Sequence, residues 1–267
     1  MPTIIINGEK LNYQIHHGAA RPGGPPLLLV HGAGGDLMHW PTQLRRLPGR
    51  TVYALDLPGH GRSGGQGRRE IGAYADRVRG FADALALPAF VLGGHSMGGA
   101  IALECALRYA NRLAGLVLVG TGARLRVAPQ LLEGVLTDLP ATAELMATWA
   151  HGEHVDPNMH RLYVRRLREL DPQITHDDFA ACNAFDRMAD VSRIALPTLI
   201  LCGDGDRMTP VKYSQHLAAQ IAGAQLVVVP DAGHMVMLEQ PAAVAEAAAR
   251  FLAGLAAACP MPSTRCS

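Results

Sequence analysis

Six short apolar runs alternate with segments of helical periodicity along this chain, and each run stops within two residues of a glycine or an aspartate. Uninterrupted apolar runs of this length are typical of strands that are buried on both faces of a sheet. Helices between such strands indicate crossover connections, which join parallel strands. The alternation therefore predicts an α/β fold with a doubly wound, mostly parallel sheet, built from residues 27–30, 51–55, 89–92, 116–119, 198–202 and 226–229.

The N-terminal residues add an antiparallel element to this sheet. Asn7 and Gly8 separate two apolar stretches within residues 3–16, which is a hairpin pattern. We expect the hairpin at one edge of the sheet, which gives about eight strands in all. Helices are predicted over residues 72–87, 97–109, 211–221 and 241–255.

One long segment, residues 121–195, contains no apolar run typical of a buried strand. Its amphipathic pieces predict helices over residues 129–139, 142–151, 158–170 and 177–188. A structureless loop of this length is uncommon inside a compact domain, so we expect a helical cap over the carboxyl ends of the strands. Residues 1–120 and 196–258 would then form the core domain, followed by a disordered tail over 259–267.

The composition excludes several classes of protein. The 24 basic and 23 acidic residues leave a formal charge of +1, so the basic patch of a nucleic-acid binder is missing. Glu246 and Arg250 interrupt the alanine-rich stretch of residues 241–258, and no run approaches the ~18 apolar residues of a membrane span. Five cysteines without C-x-x-C spacing predict neither a disulfide framework nor a thiolate metal site. We expect a soluble cytoplasmic monomer or homodimer with no nucleic-acid or membrane partner.

A candidate nucleophile lies where a predicted strand meets a predicted helix. Residues 94–98 read Gly-His-Ser-Met-Gly and fit the pattern G-x-S-x-G. In this pattern the serine occupies a tight turn, and the flanking glycines let two backbones approach closely. Ser96 would project above the sheet, and the Met97 amide would point at a bound oxygen from the start of the helix.

Three other strand ends carry residues that complete this chemistry. Ala33, in the glycine-rich turn after the first parallel strand, is the candidate for a second oxyanion donor. Asp204 and Asp206 follow a later strand, and His234 follows the last one. A histidine accepts the serine proton and returns it to the leaving group, while an aspartate fixes the tautomer of the imidazole.

With these residues the chain resembles members of the α/β-hydrolase fold superfamily from the N-terminal hairpin to the last helix. The resemblance implies that Asp206, the third residue after the strand-ending glycine, is the acid, and that the helical insertion is a cap. It also implies that residues 56–63 form a structural loop, so Asp56, His60 and Ser63 are not expected to be catalytic. The segments that carry it are His31-Gly32-Ala33-Gly34, Asp56-Leu57-Pro58-Gly59-His60-Gly61-Arg62-Ser63, Gly94-His95-Ser96-Met97-Gly98, Gly203-Asp204-Gly205-Asp206 and Gly233-His234.

The candidate substrate contacts are Gly34, Trp149, Phe185 and Met235, with core packing as the alternative for the cap side chains. The insertion also contains His151, His154, His160 and His176, but their spacing favours a solvated polar face over a metal site. We expect no metal and no organic cofactor.

The predicted activity is that of a carboxylesterase-like serine hydrolase that cleaves small to medium esters or lactones through an acyl-enzyme. Its partner would be a small-molecule ester. Two alternatives stay open. Carbon–carbon bond hydrolases of ring-fission products share the triad but commonly have Gly-Pro-Gly in the oxyanion segment and a tryptophan after the histidine, where this chain has Ala33-Gly34-Gly35 and Met235. A non-catalytic small-molecule receptor can also keep this fold and triad.

Overall fold

The computed structural model describes residues 1–18 and 23–258. Its eight strands form one sheet in the order β1-β2-β4-β3-β5-β6-β7-β8. The sheet is parallel from β4 to β8, and the β1–β2 hairpin joins the edge through an antiparallel pairing of β2 with β4. Both the strand number and the edge hairpin are as predicted. The strands are β1 (Thr3–Ile6), β2 (Glu9–His16), β3 (Leu27–Val30), β4 (Val52–Leu55), β5 (Phe90–His95), β6 (Leu113–Val119), β7 (Thr198–Gly203) and β8 (Gln225–Val229).

Successive side chains of the central strands enter two different cores, because neighbouring residues of a strand face opposite sides of the sheet. Leu28 and Val30 of β3 pack with helices α2 (Ile71–Ala84), α3 (Met97–Arg108) and α8 (Val211–Gln220). Leu27 and Leu29 pack on the other side with α1 (Thr42–Arg45), α9 (Val236–Glu239) and α10 (Pro241–Ala258). The sheet is therefore covered by helices on both faces, which is the doubly wound arrangement that the apolar runs predicted.

Residues 121–195, here called the cap segment, contain four α-helices between β6 and β7: α4 (Pro129–Thr137), α5 (Leu139–Ala150), α6 (Pro157–Arg168) and α7 (Pro172–Ala184). These helices share a small core of their own, which includes Leu131, Met146 and Phe179.

The start of α7 differs from the sequence prediction by five residues. Asp171 accepts hydrogen bonds from the amides of Gln173 and Ile174, and Pro172 occupies the first turn. This N-cap starts the helix at 172 rather than 177. Asp138 caps α5 in the same way, which moves its start from 142 to 139.

No helix in the described part of the chain is long and apolar enough to cross a bilayer. The tail predicted over residues 259–267 lies outside the described residues.

Candidate active site

Ser96 occupies a strained turn between β5 and α3. Its φ of 53° is in the left-handed region, which residues other than glycine rarely adopt. A Cβ at Gly94 would lie 2.0 Å from the Gly98 carbonyl oxygen, and a Cβ at Gly98 would lie 2.3 Å from the Val30 carbonyl oxygen. Only glycine fits at both positions, so the turn requires the two glycines of the sequence pattern.

His234 and Asp206 are joined by a hydrogen bond at the ends of two neighbouring strands, β7 and β8. The distance from His234 Nδ1 to Asp206 Oδ2 is 2.9 Å, and both side chains are buried. A carboxylate accepts hydrogen bonds and cannot donate them, so the Nδ1 atom carries the proton. The Nε2 atom of a neutral His234 is then left as an acceptor.

Three further hydrogen bonds hold the Asp206 carboxylate. Oδ1 accepts from the amides of Met208 and Thr209 at 2.9 and 2.8 Å, and Oδ2 accepts from the Thr209 hydroxyl at 2.8 Å. Burial alone would raise the pKa of Asp206, but the charge of His234 and these hydrogen bonds hold it below its usual value. Asp204, the other candidate from the sequence, is exposed and accepts from the Ala232 amide instead.

The side chains of His95 and Glu239 hold the loop that carries His234. His95 donates from Nε2 to the His234 carbonyl oxygen at 3.0 Å, and the two rings lie 4.7 Å apart. Glu239 accepts from the amide of Gly233 at 3.0 Å and from the amide of Gly152, in the cap segment, at 2.8 Å. Burial raises the pKa of Glu239. Glu239 carries no sequence signal for this role, because its partners are backbone amides of distant segments.

The turn after β3 brings Ala33 to the same end of the sheet as Ser96. Within the described residues, the amides of Ala33 and Met97 donate no hydrogen bond to another protein group. Met97 is the first residue of α3, where the helix dipole favours negative charge. Both amides are therefore available to a bound oxygen.

A buried carboxylate from the cap segment holds this turn. Asp178 of α7 is fully buried, and its Oδ2 accepts from the Gly34 amide at 2.9 Å and from His60 Nε2 at 2.7 Å. Its Oδ1 accepts from the Tyr74 hydroxyl. Asp178 was not predicted from the sequence, because a carboxylate on an amphipathic helix is usually a solvated surface group.

His60 forms an ion pair with Asp178. Its Nδ1 lies 2.9 Å from the Pro58 carbonyl oxygen, so both ring nitrogens face acceptors and both must carry protons. Burial would lower the pKa of His60, but the charge and hydrogen bond of Asp178 outweigh it and raise the pKa. Another side chain of residues 56–63 also hydrogen-bonds to the backbone. Asp56 accepts from the amides of Leu37 and Arg62.

Ser96 and His234 line one cavity of about 180 Å³ beneath the cap segment. Trp149, one of the candidate substrate contacts, lines it together with Leu125, Leu131 and Phe179. Three other candidate contacts lie elsewhere.

Gly34 lines a separate cavity of about 380 Å³ that reaches neither Ser96 nor His234. Phe185 packs into the core on the α2–α3 side of the sheet, and Met235 packs into the core on the α10 side. Both side chains are buried, so they are absent from the cavity wall for packing reasons.

Two of the four cap histidines contact each other. His151 Nδ1 lies 3.1 Å from His160 Nδ1, and Tyr163 packs on the His151 ring. Burial and the neighbouring His160 lower the pKa of His151 to about 4. This pair lies outside the cavity that Ser96 lines.

Comparison with known proteins gives a family match over most of the chain. A family model described as "Alpha/beta hydrolase family" matches residues 27–247. The 2-hydroxymuconate semialdehyde hydrolase of Pseudomonas sp. (strain CF600) is 31% identical, with 94% of this chain and 93% of that protein covered. The dihydrolipoyllysine-residue acetyltransferase component of an acetoin cleaving system from Pseudomonas putida is 32% identical over 86% of this chain, which spans 64% of that relative. A solved thermophilic esterase is 31% identical, with a TM-score of 0.83 and coverage of 95% and 97%.

Proposed function

The chain belongs to the alpha/beta hydrolase family, and we propose that it is a carboxylesterase-like serine hydrolase that cleaves small to medium carboxylic esters or lactones. The observation that carries the proposal is the shared cavity of Ser96 and His234, with His234 oriented by Asp206. Acyl transfer through a serine requires three groups: a nucleophile, a base, and a group that orients the base.

In the proposed mechanism, Ser96 Oγ attacks the carbonyl carbon of the substrate while its proton passes to His234 Nε2. The carbonyl electron pair moves onto the oxygen, and the imidazolium gains stability from the Asp206 carboxylate at 2.9 Å. The intermediate collapses, the carbon–oxygen bond breaks, and His234 returns the proton to the alcohol. Water then repeats the sequence on the acyl-enzyme.

The amides of Ala33 and Met97 would donate to the oxyanion. Neither amide donates to another acceptor in the described chain. The turn of Ala33 is held by the Gly34–Asp178 hydrogen bond, and the turn before Met97 by close backbone packing at Gly94 and Gly98. Donors fixed in advance need no rearrangement when the charge develops, and removal of one typically costs about 10²–10³ in turnover.

The second candidate is a carbon–carbon bond hydrolase. The 31% identity with a 2-hydroxymuconate semialdehyde hydrolase over nearly the full length of both chains favours it. The same serine, histidine and oxyanion donors would attack a ketone carbonyl, and a carbon leaving group would take the place of the alcohol. A receptor with the same fold would bind its ligand without multiple turnover.

The test is the steady-state rate on 4-nitrophenyl esters from acetyl to lauroyl, with the wild type, Ser96→Ala and Ser192→Ala. Ser192 is exposed and lies outside the cavity, so its variant is the matched control. We expect multiple turnover that Ser96→Ala abolishes and Ser192→Ala retains.

The other outcomes separate the alternatives. Hydrolysis that survives Ser96→Ala would refute the proposal. Absence of turnover, with Ser96 still labelled by a phosphonate, would favour the carbon–carbon bond hydrolase or the receptor.

A further inference from the structure

The charged side chains around the catalytic cavity are unbalanced. Arg126 and Arg207 line it, and no aspartate or glutamate of the described residues does. The whole chain carries a formal charge of only +1, so this concentration of positive charge is local. The remaining wall is mostly apolar and includes Leu125, Leu131 and Phe179.

Arg207 has no carboxylate partner in the part of the chain that the structure describes. It follows Asp206 directly, and its guanidinium lies 3.5 Å from the Thr148 carbonyl oxygen of α5. That contact is at the limit of a hydrogen bond and leaves most of the five N–H donors of the side chain unused. The charge lies where the β7–α8 loop contacts α5 of the cap segment, in the lining of the cavity.

Arg126 lines the cavity from a different segment, the loop between β6 and α4. It donates to the Asn183 carbonyl oxygen at 2.8 Å, which fixes the direction of the side chain. Its nearest carboxylate, Asp186, is 3.6 Å away and is shared with Arg124 at 3.7 Å. One carboxylate beside two guanidinium groups leaves a net positive charge at this wall.

We propose that the preferred substrates are short esters or lactones that carry a carboxylate, and that Arg126 and Arg207 bind this group. Arginine presents paired donors that match a carboxylate, and such contacts strengthen where water is partly excluded. The apolar wall accommodates the chain between the carboxylate and the reacting carbonyl. The cavity of about 180 Å³ is below the ~300–1,000 Å³ of common ligand pockets, so the substrate is small. This inference rests on the proposed esterase function.

The experiment compares two esters that differ only in charge. Mono-4-nitrophenyl adipate has a free carboxylate, and 4-nitrophenyl methyl adipate has the same chain with that group capped. We expect kcat/KM to be about tenfold or more higher for the half-ester, which is the size of a charge-assisted hydrogen bond. The difference should shrink as salt is raised, because both arginines are exposed to solvent.

Arg126→Gln and Arg207→Gln should each lower the ratio of the two kcat/KM values about fivefold to tenfold. Arg207→Lys should keep part of it, since a lysine supplies charge without the paired donors. The matched control is Arg193→Gln, which removes an exposed arginine that pairs with Asp190 outside the cavity. It should leave the ratio unchanged.

A methyl-capped ester that is cleaved as well as the half-ester would overturn the proposal, as would glutamine variants that keep the ratio. The binding of both esters to Ser96→Ala, measured by calorimetry, gives a readout that does not need turnover. Tighter binding of the half-ester supports the proposal, and equal binding overturns it. Failure of the esterase function itself is recognised separately, because neither ester would then show serine-dependent turnover.

Discussion

Replacing Asp178 with asparagine removes the negative charge of this buried side chain but keeps its size and shape. The wild-type oxygens accept from the Gly34 amide, from His60 and from the Tyr74 hydroxyl. An amide has one oxygen, and its NH₂ group would have to face Tyr74, whose oxygen already accepts from the Arg68 amide at 2.9 Å. The protonated His60 loses its counter-ion. It becomes neutral, and one of its two hydrogen bonds is lost.

The expected cost follows from these contacts. Removal of one partner from a buried ion pair typically destabilises a protein by about 3–5 kcal/mol, and the retained shape of asparagine favours the low end, about 3 kcal/mol. For a domain of this size, roughly 2–4 °C in Tm accompany each kcal/mol, so Tm should fall by roughly 6–12 °C. The asparagine oxygen would still accept from the Gly34 amide, but as a neutral acceptor and without the ion pair that fixes its position. The turn that carries Ala33 would then be held less firmly, so we expect kcat to fall about 10-fold with little change in KM.

The pH dependence gives an independent check on the same residue. The pKa of His60 is raised in the folded state, so the ion pair contributes fully below the unfolded pKa of about 6.5 and is lost as pH rises through the folded pKa. The difference in Tm between the wild type and Asp178→Asn should therefore be larger at pH 6 than at pH 9.

The control is Asp177→Asn, one residue earlier on α7. Its half-buried carboxylate accepts from the Gln173 side chain at 3.0 Å and lies 3.6 Å from His176 and 3.8 Å from Arg69, outside hydrogen-bond distance of both. We expect a change within about 0.5 kcal/mol. An Asp178→Asn variant with wild-type Tm and kcat would refute the assignment of the ion pair as the support of the turn.

Three further predictions concern the turn, the acid and the histidine loop. Gly94→Ala places a Cβ 2.0 Å from a backbone oxygen and should prevent folding or lower Tm sharply, whereas Gly254→Ala, with no atom within 4 Å, should be neutral or stabilising by thermal unfolding. Asp206→Asn should lower kcat about 10⁴-fold through the wrong tautomer of the base. Because the pKa of Asp206 is depressed, the Tm difference between this variant and the wild type should shrink as pH falls below about 4. Glu239→Gln should cost about 1–3 kcal/mol, measured by denaturant unfolding, because one of its two buried amide partners loses an acceptor.

The elements of the sheet and the residues at strand ends could be predicted from sequence, because both depend on short-range patterns. A buried strand is a run of four to six apolar residues, and the turn at Ser96 requires glycines two residues away on each side. The proximity of Asp206 and His234 follows in turn, since neighbouring parallel strands end at the same edge of a sheet.

The contacts of the cap segment could not be predicted in this way. Asp178 lies 144 residues from Gly34 in the chain, and nothing in either neighbourhood specifies that they meet. Phe185 and Met235 are apolar residues beside functional segments, and apolarity does not distinguish a cavity wall from a core position. The sequence around Arg126 and Arg207 is that of ordinary surface arginines. Only the fold shows that both line one cavity.

The two halves of the candidate site each depend on one hydrogen-bonded contact with the cap segment. Asp178 holds the turn of Ala33 through the Gly34 amide, while Glu239 ties the His234 loop to the Gly152 amide. The cap segment therefore contributes hydrogen bonds to both the turn of Ala33 and the loop of His234, the two segments to which the proposed mechanism assigns the oxyanion donor and the base. Its removal would leave the buried His60 without its counter-ion and would release one of the two backbone partners of Glu239. In this chain, a change of cap sequence that removes the carboxylate at position 178 without supplying another acceptor would therefore leave the Gly34 amide and His60 Nε2 unpaired.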